Sequence, residues 1–264
     1  ENKKKKKYFE NLNESVYIEL KKVYIDNINF ILNPKGNINF NYGEIKNLEI
    51  NSIFPNNKNI KLNIKTNNDN LKITNLSTKY PKPLISRYKF IKGFEDGVLN
   101  LRSIQDGNLT NSVLIIDNFK VKEVPALAKI LTLASLQGIA DLLTGEGIRF
   151  TDFEMKFSNE NNLMKIEEIY AIGPAISLLM SGYIEKNKLV SLRGTLVPAT
   201  TINRTISSIP VLGDILVGKK IGEGVFGVSF KIKGEPNNLK TTVNPLKTLT
   251  PRFITRTLEK IKKN

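Results

Sequence analysis

Ile60-Lys61-Leu62-Asn63-Ile64 and, past the turn residues Asn67-Asn68-Asp69-Asn70, the run Leu71-Lys72-Ile73-Thr74 alternate apolar and polar side chains with a period of two. Successive side chains of a strand point to opposite faces, so this pattern describes a half-buried β-strand with one apolar and one wet face. Ile38-Asn39-Phe40-Asn41-Tyr42 repeats it upstream. Pro34-Lys35-Gly36 and Pro55-Asn56-Asn57-Lys58 separate these segments as turns. Asn, Asp and Gly tolerate positive φ there, and Pro presets the negative φ of turn entry. Short links join antiparallel neighbours, so residues 16–121 read as a meander of roughly six to eight strands, including segments 97–104 and 112–121.

Alternation stops at Val124-Pro125-Ala126-Leu127-Ala128-Lys129-Ile130-Leu131. With Pro125 at its start and Gly145 past its end, the stretch predicts one helix over 124–143. Its polar residues Lys129, Thr132, Gln137, Asp141 and Thr144 form a narrow stripe, and a helix this apolar either packs deeply or lies against lipid. Strand patterns return at 148–157, 163–171, 175–184 and 189–197. Pro210 and Gly213 make 198–218 a short or broken helical insert, and strands follow at 226–233 and 238–243. In the last segment Ile254, Leu258 and Ile261 share one helical face while Arg252, Arg256, Lys260, Lys262 and Lys263 occupy others, which is a basic amphipathic helix. The chain therefore divides into a lysine-rich linker (1–15), an antiparallel sheet segment (16–122) and a mixed segment (123–264).

The 264 residues carry 40 Lys plus Arg against 25 Asp plus Glu, a formal charge of +15, and no His, Cys or Trp. That removes thiolate nucleophiles, Ser-His and Cys-His dyads, Cys/His zinc sites and disulfides. A 40% apolar content fills a core, and the length suits one or two domains. The charge alone would point to nucleic acid or an anionic membrane. Runs such as Asn56-Asn57-Lys58-Asn59-Ile60-Lys61 are what an AT-rich genome supplies, and the basic residues are mostly Lys where bidentate phosphate and guanine recognition favours Arg, so nucleic acid is not the expected partner. Gly218-Lys219-Lys220-Ile221-Gly222-Glu223-Gly224 lacks the Gly-Lys-Ser/Thr of a phosphate loop and reads as a turn. General acid and base work could in principle use pairs such as Glu167 with Glu168, or Asp152 with Glu154, and adjacent strand carboxylates are more often simply solvated. No constellation argues for an enzyme, and no cofactor or metal is expected. Lys3 to Lys7 read as a solvated linker or, more sharply, as a cluster for acidic headgroups. The start at Glu1 reads as a piece of something longer, with any export or anchoring signal upstream.

Antiparallel alternation ordinarily builds a sandwich or barrel core. The first strands have little helix among them to cover their apolar face, which counts against that solution; an open curved sheet without a filled core would instead be a trough for something greasy.

Four ordered segments give the region from about Val124 to Phe253 a resemblance. They are Val124-Pro125-Ala126-Leu127-Ala128 with Leu131-Thr132-Leu133-Ala134-Ser135-Leu136-Gln137-Gly138-Ile139; Gly194-Thr195-Leu196-Val197-Pro198-Ala199 with Ile202-Asn203; Ile209-Pro210-Val211-Leu212-Gly213 followed by Gly222-Glu223-Gly224-Val225-Phe226-Gly227-Val228; and Val243-Asn244-Pro245-Leu246 with Leu249-Thr250-Pro251. In this order they resemble the C-terminal region of the AsmA-like superfamily of Gram-negative envelope proteins, most closely its YhdP-like branch. Thr200 and Arg252 stand where that pattern has Tyr and Gly. The resemblance implies a long, non-enzymatic, cofactor-free protein anchored in the inner membrane, crossing the periplasm as an apolar β-groove that moves phospholipids towards the outer membrane.

On that reading the sheet is mainly β, open and curved, with two or three helices towards the C-terminus. Ile38, Phe40, Tyr42, Ile60, Leu62, Ile64, Leu71, Ile73, Leu178, Met180, Leu192 and Leu196 are expected to line the groove, each with a buried core position as its alternative. Leu127, Ile130, Leu131 and Leu136 of the first helix and Ile209, Leu212 and Ile215 of the insert are expected to cap the groove and touch a membrane. Ile254, Leu258 and Ile261 would lie in the interface with Lys260, Lys262 and Lys263 towards anionic headgroups. The first helix could equally be a plug covering the sheet. The alternative function is a non-transporting envelope scaffold with a filled β core that binds a protein partner through the exposed sheet edge and the helices.

Overall fold

A computed structural model describes residues 12–86, 93–198, 227–236 and 238–246. They form one open antiparallel sheet of 14 strands. The strands are β1 (Ser15–Glu19), β2 (Lys22–Tyr24), β3 (Phe30–Asn41), β4 (Glu44–Ile53), β5 (Asn59–Thr66), β6 (Lys72–Thr78), β7 (Gly93–Asp106), β8 (Leu109–Lys122), β9 (Ile148–Glu160), β10 (Leu163–Ile172), β11 (Ile176–Glu185), β12 (Leu189–Pro198), β13 (Gly227–Glu235) and β14 (Asn238–Leu246). From β3 onward each pairs with the next in sequence, while β1 and β2 both pair with β3. The expected meander is present, except that Pro34-Lys35-Gly36, read as a turn, lies within β3, and it continues through the helical region, since β8 pairs with β9 along most of its length.

The two ends of the strands differ. At one end the connections are short and rich in Asn: Tyr42 (φ 47°) and Gly43 (φ 76°) make a two-residue turn of the mirror-image type that suits strand twist, and Asn161 and Asn187 also take positive φ. At the other end lie the Pro55 turn, α1 (Lys82–Ile85) and the helices α2 (Pro125–Leu133) and α3 (Gln137–Thr144).

The expected single helix over 124–143 is therefore two. Ser135 takes φ 59°, its N–H donates to the Thr132 carbonyl at 3.0 Å, and the Leu136 N–H donates to the Leu131 carbonyl at 2.8 Å. This is a Schellman stop, in which a residue in the left-handed region ties off the last carbonyls of α2. It is hidden in the sequence because Ser stands where Gly usually does.

α2 packs on α3 and on β14, and α3 on β8. Together the two helices, roughly 14 and 12 Å long, bridge the six strand spacings from β8 to β14, roughly 29 Å on a flat sheet. The sheet curls round the pair, and the inside of the curl is the apolar face. The core there joins Leu127, Ile130, Leu131, Ala140 and Leu143 of the helices to Phe94, Ile116, Phe119, Ile148, Leu196 and Phe230 of the sheet. Phe119 is its hub, stacked on Phe94 at 5.3 Å and on Phe150 at 5.5 Å, with Phe153 edge-on at 6.0 Å. Offset and edge-on arrangements of this kind contribute beyond their area.

Gly36 of β3 lies tight against the backbone of β4. A Cβ there would overlap the Glu49 carbonyl oxygen and lie 3.0 Å from the Ile50 Cα. Backbone cannot swing aside as a side chain can, so Gly36→Ala is expected to lower stability by about 1–3 kcal/mol in a denaturant titration.

Outside the core, the Glu95 carboxylate lies 2.8 Å from Lys120 Nζ and 3.3 Å from Lys122 Nζ. Hydrogen bonds from Lys120 and then Lys122 hold its carboxyl below the ordinary glutamate value. A depressed folded-state pKa stabilises above the unfolded value and is lost as pH falls through the folded one. Glu95→Gln is therefore expected to melt below the wild type at pH 7, the gap closing as the pH falls through the lowered pKa, with thermal melts across an acid pH series as the check.

Candidate functional site

Residues paired directly across an antiparallel sheet share a face, so the register orders the apolar side chains into rows. The middle row runs Gly36, Ile50, Leu62, Leu76, Leu101, Leu114, Met155, Ile169, Met180, Gly194, Phe230 and Val243, from β3 to β14 without a polar side chain. One row towards the Asn-rich turns come Ile38, Leu48, Ile64, Thr74, Ser103, Ser112, Phe157, Ile166, Gly182, Leu192 and Ile232. One row towards the helices come Ser52, Ile60, Thr78, Leu99, Ile116, Phe153, Ala171, Leu178, Leu196 and Val228.

Four of the five hydroxyls in these rows, all but that of Thr74, bond one another or the backbone. Ser103 Oγ and Ser112 Oγ are 2.8 Å apart, Ser52 Oγ donates to the Leu32 carbonyl at 2.6 Å, and Thr78 Oγ1 donates to the Asn59 carbonyl at 2.9 Å. A hydroxyl with its bond made costs an apolar surface far less than one left bare. On the reverse face the matching row is Asn37, Glu49, Asn63, Asn75 and Arg102. From β3 to β7 the sheet is thus amphipathic through its thickness.

The apolar face is not covered evenly. Towards β14 and the helices it is packed, with Leu196 fully buried and Phe230 laid over Gly194, whose missing side chain makes room for the ring. Ile38, Ile50, Leu62, Ile64, Leu76, Leu101 and Leu114 are only half-buried. No second sheet lies over them among the described residues, and the helices make their main sheet contacts with β7, β8 and β14. What remains is an apolar strip roughly 14 Å wide, three rows at about 6.8 Å each two residues, running roughly 50 Å from β3 to β14 and narrowing where the helices close over it.

Of the residues expected on this face, Ile38, Phe40, Ile60, Leu62, Ile64, Leu178, Met180, Leu192 and Leu196 lie on it, with Ile60 and Leu196 buried. Three do not. Tyr42 occupies the tight turn and is 71% exposed. Ile73 pairs with Lys65 and Ile104, on the polar face, because the pairing of Ile64 with Thr74 puts the even-numbered residues of β6 inward. Leu71 precedes β6 and closes the turn, its N–H donating to Asn67 Oδ1 at 2.9 Å. The inward residues overlooked, Leu48, Ile50, Leu76, Leu101 and Leu114, were marked by alternation in Leu48-Glu49-Ile50 and Leu99-Asn100-Leu101.

The helical residues also need correction. Leu127, Ile130 and Leu131 point into the core and cannot meet a bilayer; Leu136 is half-buried. The outward side of the helices carries Lys129, Leu133 and Leu142 instead. Ile209, Leu212, Ile215, Ile254, Leu258, Ile261, Lys260, Lys262 and Lys263, like Lys3 to Lys7, lie outside the described residues. No helix among the described residues is long and apolar enough to cross a membrane.

A second concavity opens on the polar face, a cavity of about 420 Å³ lined among others by Glu167, Glu168, Ser181, Arg193, Ser229, Lys231 and Thr242. A β-bulge in β10 sets Glu167 and Glu168 together opposite Ser181, between the pairs Ile166 with Gly182 and Ile169 with Met180. Bulges re-aim side chains in this way, and here one delivers two carboxylates to one position. Glu168 is buried, and across β9 it faces Lys156, which pairs with Glu154 at 3.1 Å.

No family model matches the chain, and neither the curated proteins nor the solved structures contain a match to it.

Proposed function

We propose that the chain is the C-terminal part of an AsmA-like, YhdP-like envelope protein that conducts phospholipids along an apolar β-groove across the periplasm. The observation that carries this reading is the unbroken middle row, whose half-buried members from Ile50 to Leu114 lack a covering layer among the described residues. A phospholipid has on the order of thirty methylenes, and at ~0.8 kcal/mol each their exposure to water would cost ~25 kcal/mol. A strip of apolar side chains removes most of that barrier while the headgroup stays wet at the rim. The family resemblance of residues 124–253 supports the same reading and supplies the envelope setting.

The task requires no bond to be made or broken, which agrees with a chain free of His and Cys. Native mass spectrometry of the purified chain tests the reading, with acyl lipid expected on the folded protein at near one or more per chain. A folded chain that carries none, after expression in cells with abundant phospholipid, would overturn it in favour of an envelope scaffold.

A further inference from the structure

The polar face of the last three strands carries an arrangement that sheets ordinarily avoid. Arg193 of β12 lies directly across from Lys231 of β13, and Lys233 of β13 lies directly across from Lys240 of β14. Lys231 and Lys233 are two residues apart on one strand, so all four cations share a face in two adjacent like-charge pairs. Like charges in direct cross-strand register destabilise a sheet. All four side chains are exposed, and no carboxylate among the described residues pairs with any of them. Other cations lie beside an acid and pair with it, as Lys35 with Glu19, Lys120 and Lys122 with Glu95, and Lys156 with Glu154.

We infer that the polar face of β12–β14 docks on an anionic bilayer, its four cations taking headgroup phosphates. Hydroxyls stand at both ends of the Arg193 and Lys231 row, Ser181 on β11 and Thr242 on β14, and these with Arg193 and Lys231 line the cavity. Tyr183, 39% exposed, lies in the same cross-strand row as Lys233 and Lys240, and an aromatic ring among lysines is the usual composition at the level of headgroups. Glu167 and Glu168 close the patch on the β10 side, where they would repel phosphate, and confine the contact to the β14 edge. Lys supplies three of the four cations, and a bilayer asks only for charge near its surface, about 1 kcal/mol for each such residue. The inference rests on the lipid reading only for the setting, because a groove must meet a membrane to load or unload.

The test is co-sedimentation of the whole chain with vesicles of phosphatidylcholine alone or with 30% (roughly, enough for a strong surface potential) phosphatidylglycerol. The wild type is expected to bind the anionic vesicles and lose them at high salt. The variant R193Q/K231Q/K233Q/K240Q is expected to bind at least about tenfold more weakly, with a melting temperature equal to or above the wild type's since two repulsive pairs are gone. K58Q/K61Q/K65Q/K79Q removes the same charge from β5 and its flanks and is expected to keep most of the binding. Equal losses in the two variants would overturn the inference, as would tighter binding of duplex DNA or an acidic protein than of anionic vesicles. Co-purified acyl lipid is read separately: unchanged lipid in the patch variant leaves the groove reading standing, and vesicle binding by a lipid-free wild type leaves the patch standing alone.

Discussion

With carboxylates at Leu62 and Leu114, the purified chain is expected to carry at least about tenfold less acyl lipid than the wild type while remaining folded. Both residues belong to the middle row, flanked across the strands by Ile50 and Leu76, and by Leu101 and Met155. Both are half-buried. In the empty groove an ionised Asp at either position reaches water, so the fold loses only the packing of the leucine, about 1–2 kcal/mol. With acyl chains against it the same carboxylate is stripped of water without a partner, which costs several kcal/mol and favours an empty groove. Asn63→Asp is the matched control, since Asn63 points to the other face and its charge never meets a chain. Lipid content measured by extraction or native mass spectrometry reads the outcome. Retention of lipid by the Leu62→Asp/Leu114→Asp chain would exclude this strip as the path.

The strands were legible because one face is wet. Wherever Lys or Asn alternates with Ile or Leu, as at 60–64, the period of two fixes both the element and the face. The face was misread where that contrast weakens. In β6 the inward residues are Lys72, Thr74, Leu76 and Thr78, and only one of these is apolar, so Leu71 and Ile73 look like the inner set until the register with Ile64 and Leu62 is known. A slip of one residue exchanges the faces entirely, and nothing local to Leu71-Lys72-Ile73-Thr74 forbids it. The bulge at Glu167 and Glu168 is likewise silent in sequence, because one extra residue shows only against the partner strand. The charge patch on β12–β14 has the same character: Arg193, Lys231, Lys233 and Lys240 are scattered along the chain, and pairing alone brings them together.

The apolar stretch from 124 posed a choice between lipid and sheet, and its burial decides for the sheet. Leu131 is fully buried, with Leu143 of the second helix equally enclosed. Leu131→Ala is therefore expected to lower stability by about 3–5 kcal/mol, the upper range for a leucine in a site that cannot collapse. Leu133→Ala, two residues on and 47% exposed, is expected to change it by less than about 1 kcal/mol. Denaturant titration compares the two, and the contrast is the informative quantity because it cancels helix propensity, which improves alike in both. Nearly equal losses would mean that both faces of α2 are packed, and equal negligible losses that the helix does not rest on the sheet. A large gap has a functional consequence. The helices then hold β8 and β14 in the curl that gives the apolar strip its concave side, so a cavity at Leu131 should also loosen lipid binding in a chain still mostly folded. Leu133→Ala should leave lipid binding alone, and this joint pattern separates a helix pair that shapes the groove from one that merely contacts a membrane.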